Sequence, residues 1–202
     1  MLGRVLEGLA EAVGSAGTVL GVRDATEEPH YEVIGLVNGA EVRRYGDRLA
    51  AEVTVPGEEG AARQAGFRPL AGFIFGGNEA REKVAMTIPV AQSPAGAGGW
   101  TVRFFMPAGY TEQTLPRPRD ASVRIITVPG GDYAVMRFRG VPTADAVALR
   151  KARLMAALSS GAWQAEGEPE GWFYDPPWTV PTLRRNEVAV RVSQREPAQP
   201  PA

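Results

Sequence analysis

The chain has 202 residues, a net charge of -1, 44% hydrophobic and 22% charged residues, no cysteine and one histidine. That length suits one domain with a real core, or two small ones tightly joined. A near-neutral charge with no basic run argues against nucleic-acid binding, and the absent cysteines exclude disulfides, thiolate metal sites, iron–sulfur clusters and cysteine nucleophiles.

Nothing in the sequence is long and apolar enough to span a bilayer, which takes about 18 apolar residues or more. Leu2, Val5, Leu6, Leu9 and Val13 recur at helical spacing, while Arg4, Glu7 and Glu11 take the other face. Glu7 and Glu11 also interrupt the apolar run that a secretory signal would need. Residues 1–26 therefore read as an amphipathic helix and linker, and a cytoplasmic location is expected. The lone histidine, His30, lies in "EEPHYEV" (27–33), before the apolar run Tyr31, Val33, Ile34. A His-rich metal site is excluded by this count.

The stretch 40–55, "AEVRRYGDRLAAEVTV", predicts two strands around a turn at Gly46-Asp47. A helix follows over 58–75, with a kink or break expected near Ala65–Gly66 because Pro69 lacks a backbone donor. Two strands come next, near 83–90 and 100–106, with "SPAGAGGW" (93–100) as a loop. In the second, Val102, Phe104 and Met106 alternate with Thr101, Arg103 and Phe105.

The order then repeats. Residues 122–140 predict a hairpin with Gly130-Gly131 in its turn. A helix spans 143–160, with Thr143 as N-cap, Asp145 at its positive start and Gly161 at its end. Ala144, Val147, Ala148, Lys151, Leu154, Met155 and Leu158 form its apolar stripe. Strands near 171–174 and 186–192 complete the second half, at an offset of about 83–86 residues from the first. The Pro-rich residues 194–202 read as a disordered tail.

The expected fold is α+β: a distorted antiparallel β-barrel from two pseudo-symmetric ββαββ repeats (about 31–110 and 119–193, within a domain 27–193). Each repeat carries one main helix, and the extra N-terminal helix stands outside them. A groove between the halves is the natural ligand site.

Four segments carry more than generic core character: "YEVIGLVNGAEVRRYGDRLAAEV" (31–53), "GFRPLAGFIFGGNEAREKVAMTIPV" (66–90), "VRFFMPAGY" with "TLPRPRD" (102–120), and "GWFYDPPWTVPTLRRNEVAV" (171–190). In order and spacing they resemble the SOUL haem-binding protein family, over about residues 28–192. The resemblance implies a twofold distorted barrel similar to bacterial effector-binding domains, and a tetrapyrrole ligand, haem or another porphyrin. It also implies a groove on the first helix. The matching apolar residues here are Phe67, Leu70, Ala71, Ile74 and Phe75, with Arg63 and Arg68 as cations for the propionates and Met86 as a further contact. Met106 and Met136 are other soft ligands or simply core.

Some members of the family hold iron by a histidine just before the Tyr-Gly of the first hairpin; Arg44 stands there in this chain. Arginine has no lone pair to give to iron, so Arg44 offers a cation instead. His30 is then either an ordinary residue opening a strand or the axial ligand of a bound haem. Arg184 and Arg185 are solvated, or anchor Asp175 or a ligand carboxylate.

A non-enzymatic carrier, buffer or sensor of tetrapyrrole is the first expectation. The alternatives are a small-molecule effector-binding module without haem, and a tetrapyrrole-processing enzyme using Glu41 and Glu187 as paired carboxylates. The sequence contains no nucleophile-elbow, P-loop or dinucleotide motif. It sets no oligomeric state.

Overall fold

The computed structural model describes residues 26–96 and 98–195. The expected N-terminal helix lies outside the described residues, as does the expected tail apart from Gln194, which ends the last strand, and Arg195, whose N donates to Ala162 O at 2.7 Å. The elements are β1 (Tyr31–Val37), β2 (Ala40–Tyr45), β3 (Arg48–Pro56), α1 (Glu59–Ile74), β4 (Val90–Ala95), β5 (Gly99–Phe105), β6 (Arg124–Val128), β7 (Gly131–Arg139), α2 (Ala144–Ala157), β8 (Trp163–Ala165), β9 (Glu170–Phe173), a 3-10 turn (Pro181–Leu183) and β10 (Arg185–Gln194).

The strands form one antiparallel sheet in the order β1-β2-β7-β10-β9-β4-β5-β3-β6, with β8 added alongside β10. The sheet is a curled half-barrel with edges at β1 and β6 rather than a closed barrel. Exchanging β2 with β6, β3 with β7, β4 with β9 and β5 with β10 maps the path from β2 to β6 onto itself, reversed. The central β4–β9 pair straddles that axis.

Two expected hairpins are replaced by corners. β2 pairs with β1 and β7, while β3 pairs with β5 and β6; β6 and β7 likewise part company. The two corners touch, Gly130 N donating to Asp47 Oδ1 at 2.7 Å. A Gly-Asp or Pro-Gly step permits a sharp change of direction, but which strand each arm pairs with is set by distant sequence. Two other boundaries also moved. Residues 83–89 are not a strand, and β4 and β5 extend into the segment expected to be a loop, which shrinks to a tight connection.

Alternation sorts the sheet's two faces. Val42, Ala134, Val188 and Val190 meet Val147, Leu154 and Leu158 of α2. Ala51, Val53, Val102 and Phe104 meet Leu70, Phe73 and Ile74 of α1. Thr143 caps α2 as expected, its Oγ1 accepting from Ala146 N at 3.2 Å. Of the expected stripe on α2, Val147, Leu154 and Leu158 are buried, whereas Ala148 and Met155 are exposed.

Helix α1 runs through Pro69 without the expected break. Gly66 is what lets it sit close to the sheet: an added Cβ would stand 2.6 Å from Val102 Cγ2 and 2.8 Å from Val102 Cβ. Alanine gains about 1 kcal/mol of helix propensity over glycine. Overpacking a tight core costs about 1–3 kcal/mol. Gly66→Ala is therefore expected to lower the urea midpoint, and a raised midpoint would remove the close-packing account. Gly77 plays a similar part after the helix, donating to Gly72 O at 2.8 Å where a Cβ would collide with that carbonyl. Asn78 then staples the turn from a fully buried position, donating to Phe73 O and Glu82 O and accepting from Glu82 N.

Candidate functional site

The face opposite the helices is concave and carries a third core, built from Tyr45, Ala50, Ile88, Ala91, Phe105, Val128, Tyr133, Val135, Trp172, Tyr174 and Ala189. One cross-strand row explains its chemistry. Arg137, Glu187, Trp172, Ala91, Arg103, Glu52 and Arg124 are successive partners across seven strands from β7 to β6. Directly opposed residues on one face have Cβ atoms about 4.5–5.5 Å apart. Acids and arginines placed in neighbouring positions of this row therefore become ion pairs.

Glu187 anchors one side. It is fully buried and accepts from Arg43 Nη1 at 2.8 Å, Arg43 Nη2 at 3.2 Å, Arg185 Nε at 3.0 Å, Arg137 Nε at 3.3 Å and Tyr174 OH at 2.6 Å. Burial pushes its pKa up, but the hydrogen bonds and charge of Arg43, with Arg185 and Tyr174, outweigh this and hold it below the usual carboxylate range. Arg43 Nε also donates to Glu41 Oε2 at 2.8 Å, and its guanidinium lies 4.4 Å from the Tyr31 ring centre. Glu52 mirrors Glu187 on the other side, accepting from Arg103 Nη2 and Arg124 Nη2 at 2.7 Å each.

Between them sits an aromatic cluster. Tyr45 meets Tyr133 and Trp172 edge-on, with centroids 5.7 Å apart in each case. Arg48 is threaded into it, over the rings of Tyr45 at 4.4 Å, Phe105 at 4.7 Å and Tyr133 at 5.2 Å. The groove expected between the halves is thus filled by the protein's own side chains. The space lined by Glu28, Pro29, Tyr45, Arg48, Pro89, Phe105, Trp172 and Tyr174 does not admit a water molecule.

Trp172 Nε1 donates to Glu170 Oε1 at 2.8 Å. Burial raises the pKa of Glu170 despite Arg103 nearby. A raised folded value means that Glu170 favours the folded state fully only below the unfolded glutamate pKa of about 4.3. That contribution is lost as pH rises through the folded value. Glu170→Gln is therefore expected to be more stable than the parent at pH 7 and nearly equal to it at pH 3.5, in paired urea titrations. A deficit at pH 7 would show that the Arg103 attraction dominates.

The residues expected from the sequence fall into separate places. Leu70, Ala71 and Ile74 are buried beneath α1. Phe67, Phe75 and Met86 are half-buried around the same core, and Arg68 is exposed. Arg63 is occupied: it lies 4.1 Å from the Phe173 ring centre and donates to Gln92 Oε1 and Pro142 O. Met106 is core under α1, and Met136 packs on the core under α2. Arg44 is exposed and bound bidentate to Asp132 across the β2–β7 pair. His30 is exposed just ahead of β1, and no cluster of potential metal ligands occurs among the described residues. Glu41 and Glu187 are joined through Arg43 rather than facing each other across open space. Asp175 Oδ2 accepts from the backbone N of Arg185 at 2.6 Å, while the Arg184 side chain donates to Thr179 O and Pro177 O.

What sequence reasoning missed is the set Arg43, Tyr45, Arg48 and Trp172. A signal existed for the first two: Glu41, Arg43 and Tyr45 alternate on one face of β2, opposite Ala40 and Val42 under the helix. The quoted segments converge here as well, since "AEVRRYG" supplies Glu41, Arg43 and Tyr45, "YDPPW" supplies Tyr174, and "RRNEV" supplies Arg185 and Glu187.

Several solved structures share this fold. The crystal structure of the EcmrR C-terminal domain aligns with a TM-score of 0.58 at 11% identity, over 82% of this chain and 99% of that one. The EcmrR–DNA complex determined by cryo-EM gives 0.59 at 10% identity, over 96% of this chain and 65% of that longer one. A hydrolase encoded by lin2189 from Listeria innocua gives 0.51 at 12% identity, over 79% and 94%. At these identities the likeness is one of fold alone. No curated protein matches the chain. No described helix is long and apolar enough to cross a membrane. With the SOUL heme-binding protein model matching residues 26–191, the chain belongs to that family, for which haem binding is the implied property.

Proposed function

We propose that the protein is a cytoplasmic, non-catalytic carrier or buffer of a tetrapyrrole, haem first, held by burial along the edge of α1. Family membership carries this reading. Phe67, Phe75 and Met86 fringe one core as half-buried apolar side chains, with Leu70 and Ile74 packed beneath them. A flat macrocycle laid on such a fringe is held at about 25 cal/mol per Å² of apolar surface removed from water. Arg68, exposed on the same helix, offers a guanidinium fork to a propionate. His30 adds no bond to iron in this reading.

Hemin titration tests it. The expected result is a Soret shift saturating at one equivalent and stable over hours, as befits a carrier rather than an enzyme. Reversing the charge in Arg68→Glu is expected to weaken binding by about tenfold, or about 1.4 kcal/mol. Phe67→Ala should also weaken it, whereas His30→Ala should leave the spectrum unchanged. Absence of any Soret shift in the parent protein would remove the reading.

A further inference from the structure

The concave face holds a cation whose Nε has no acceptor. Arg48 is only 8% exposed, and its Nε has no hydrogen-bond partner among the described residues. The rings of Tyr45, Phe105 and Tyr133 attract its charge, but a ring face is no substitute for a lone pair in the guanidinium plane. The space beside it is too narrow for water to serve instead. Orphaned N–H groups of this kind are rare in folded proteins.

The roof of this space is a strap, residues 27–29. Glu27 holds one end: its carbonyl accepts from Ile88 N at 2.9 Å and its Oε1 from Ala108 N at 2.7 Å. Glu28 is latched by Arg185, whose Nη1 and Nη2 donate to Oε2 and Oε1 at 2.8 and 2.7 Å. Pro29 closes the gap against Pro89, Trp172 and Tyr174. Glu27 is thus tied by its backbone to the buried Thr87–Ile88 segment and serves as the hinge, while the roof itself, Glu28 and Pro29, is latched by the half-buried Arg185 over a floor of core residues.

We propose that this is a closed binding site for a flat ligand bearing a carboxylate, which docks on the Arg48 guanidinium when the strap lifts. The fork of arginine matches a carboxylate, and the neighbouring rings match a flat aromatic body. The charge balance favours an anion. Glu28 is the one acid among the lining residues, and it leaves with the strap. Its departure leaves Arg48 as the charged lining residue and frees Arg185, stacked on the lining residue Tyr174 at 3.8 Å, of one of its two carboxylates. A flat cation would meet both. This site lies on the concave face, away from the α1 fringe assigned to tetrapyrrole, and does not depend on that assignment.

The test is calorimetric titration of the intact protein with 2-naphthoate, 2-naphthalenemethanol and 2-naphthylmethyltrimethylammonium. Naphthoate is expected to bind at one equivalent, and the alcohol and the ammonium ion at least tenfold more weakly. Glu28→Gln loosens the latch and should tighten naphthoate several-fold. Arg48→Met keeps the bulk and should abolish binding; Arg48→Lys keeps the charge without the fork and should weaken it. Circular dichroism checks that each variant is folded, and if Arg48→Met is not, the Arg48→Lys and Glu28→Gln affinities decide. Equal affinity for the ammonium ion, naphthoate binding indifferent to Arg48, or no binding by either the parent or Glu28→Gln would overturn the proposal. Hemin binding by the same samples reports on the α1 surface separately.

Discussion

Glu187→Ala is expected to destabilise the protein by about 3–5 kcal/mol, the usual consequence of removing one partner from a buried ion pair. The loss does not come from a missing attraction alone. Arg43 is 2% exposed and donates twice to Glu187, so the variant leaves its guanidinium buried with Glu41 as its remaining carboxylate. Arg185 and Arg137 add like charge around the gap, and the Tyr174 hydroxyl loses its acceptor. Removing both charges, in Arg43→Met with Glu187→Leu, is expected to recover part of the loss, because the paired desolvation penalty disappears with the pair.

The effect carries a pH signature. Glu187 has a lowered folded pKa, so its contribution is present above the unfolded carboxylate value of about 4.3. It fades as pH falls through the folded value. Parent and Glu187→Ala stabilities should therefore converge on acidification, in urea titrations run from pH 7 to pH 3. A parallel offset at every pH, or a loss below about 0.5 kcal/mol at pH 7, would show that the charge cluster does not hold this face together.

Trp172→Ala is the second large effect, also expected to cost about 3–5 kcal/mol, the usual range for deleting a buried large aromatic side chain. Trp172 is 1% exposed, lies in the cross-strand row between Glu187 and Ala91, and packs on Tyr45 and Tyr133. It comes from β9, whose neighbour β4 belongs to the other half of the fold, so its removal loosens the join between halves. Phe is expected to restore most of the loss, short of the hydrogen bond to Glu170. Leu36→Ala, at a site 77% exposed, serves as the contrast and should change little. Equal losses at the two positions would contradict the packing described here.

The helices were legible because their signals are local. Thr143, Asp145 and the spacing of Val147, Leu154 and Leu158 define α2 within some fifteen residues of chain, and all are present in the structure. The strands of the second half were nearly as plain, since β9 and β10 are apolar runs bounded by turn residues. The corners were not. Gly46-Asp47 and Gly130-Gly131 mark a change of direction equally well in a hairpin and in strands that part to different neighbours, and Gly131 proves to open β7. Pro69 misled for a related reason: a local defect in hydrogen bonding was absorbed by a helix packed along two strands.

The site was the least legible part. Glu41 and Glu187 were singled out as carboxylates, but Arg43 between them looks in sequence like one charge among many. Strand alternation puts Arg185 beside Glu187 on β10, but only the antiparallel register brings Arg43 and Arg137 from two other strands onto the same carboxylate. Arg48 is more extreme, since a charged residue following a turn reads as solvated surface, and it proves to be among the aromatic side chains of Tyr45, Phe105 and Tyr133.

By itself the sequence determined the class, the two helices, the two-part repeat and the family, because periodicity, caps and ordered motifs act over short stretches of chain. Tertiary structure alone decided which strands are neighbours, that the concave face is closed, and which cations share Glu187. Those outcomes depend on contacts between residues far apart in the chain, such as Arg43 with Glu187 and β4 with β9, and no local pattern encodes which distant partner will win.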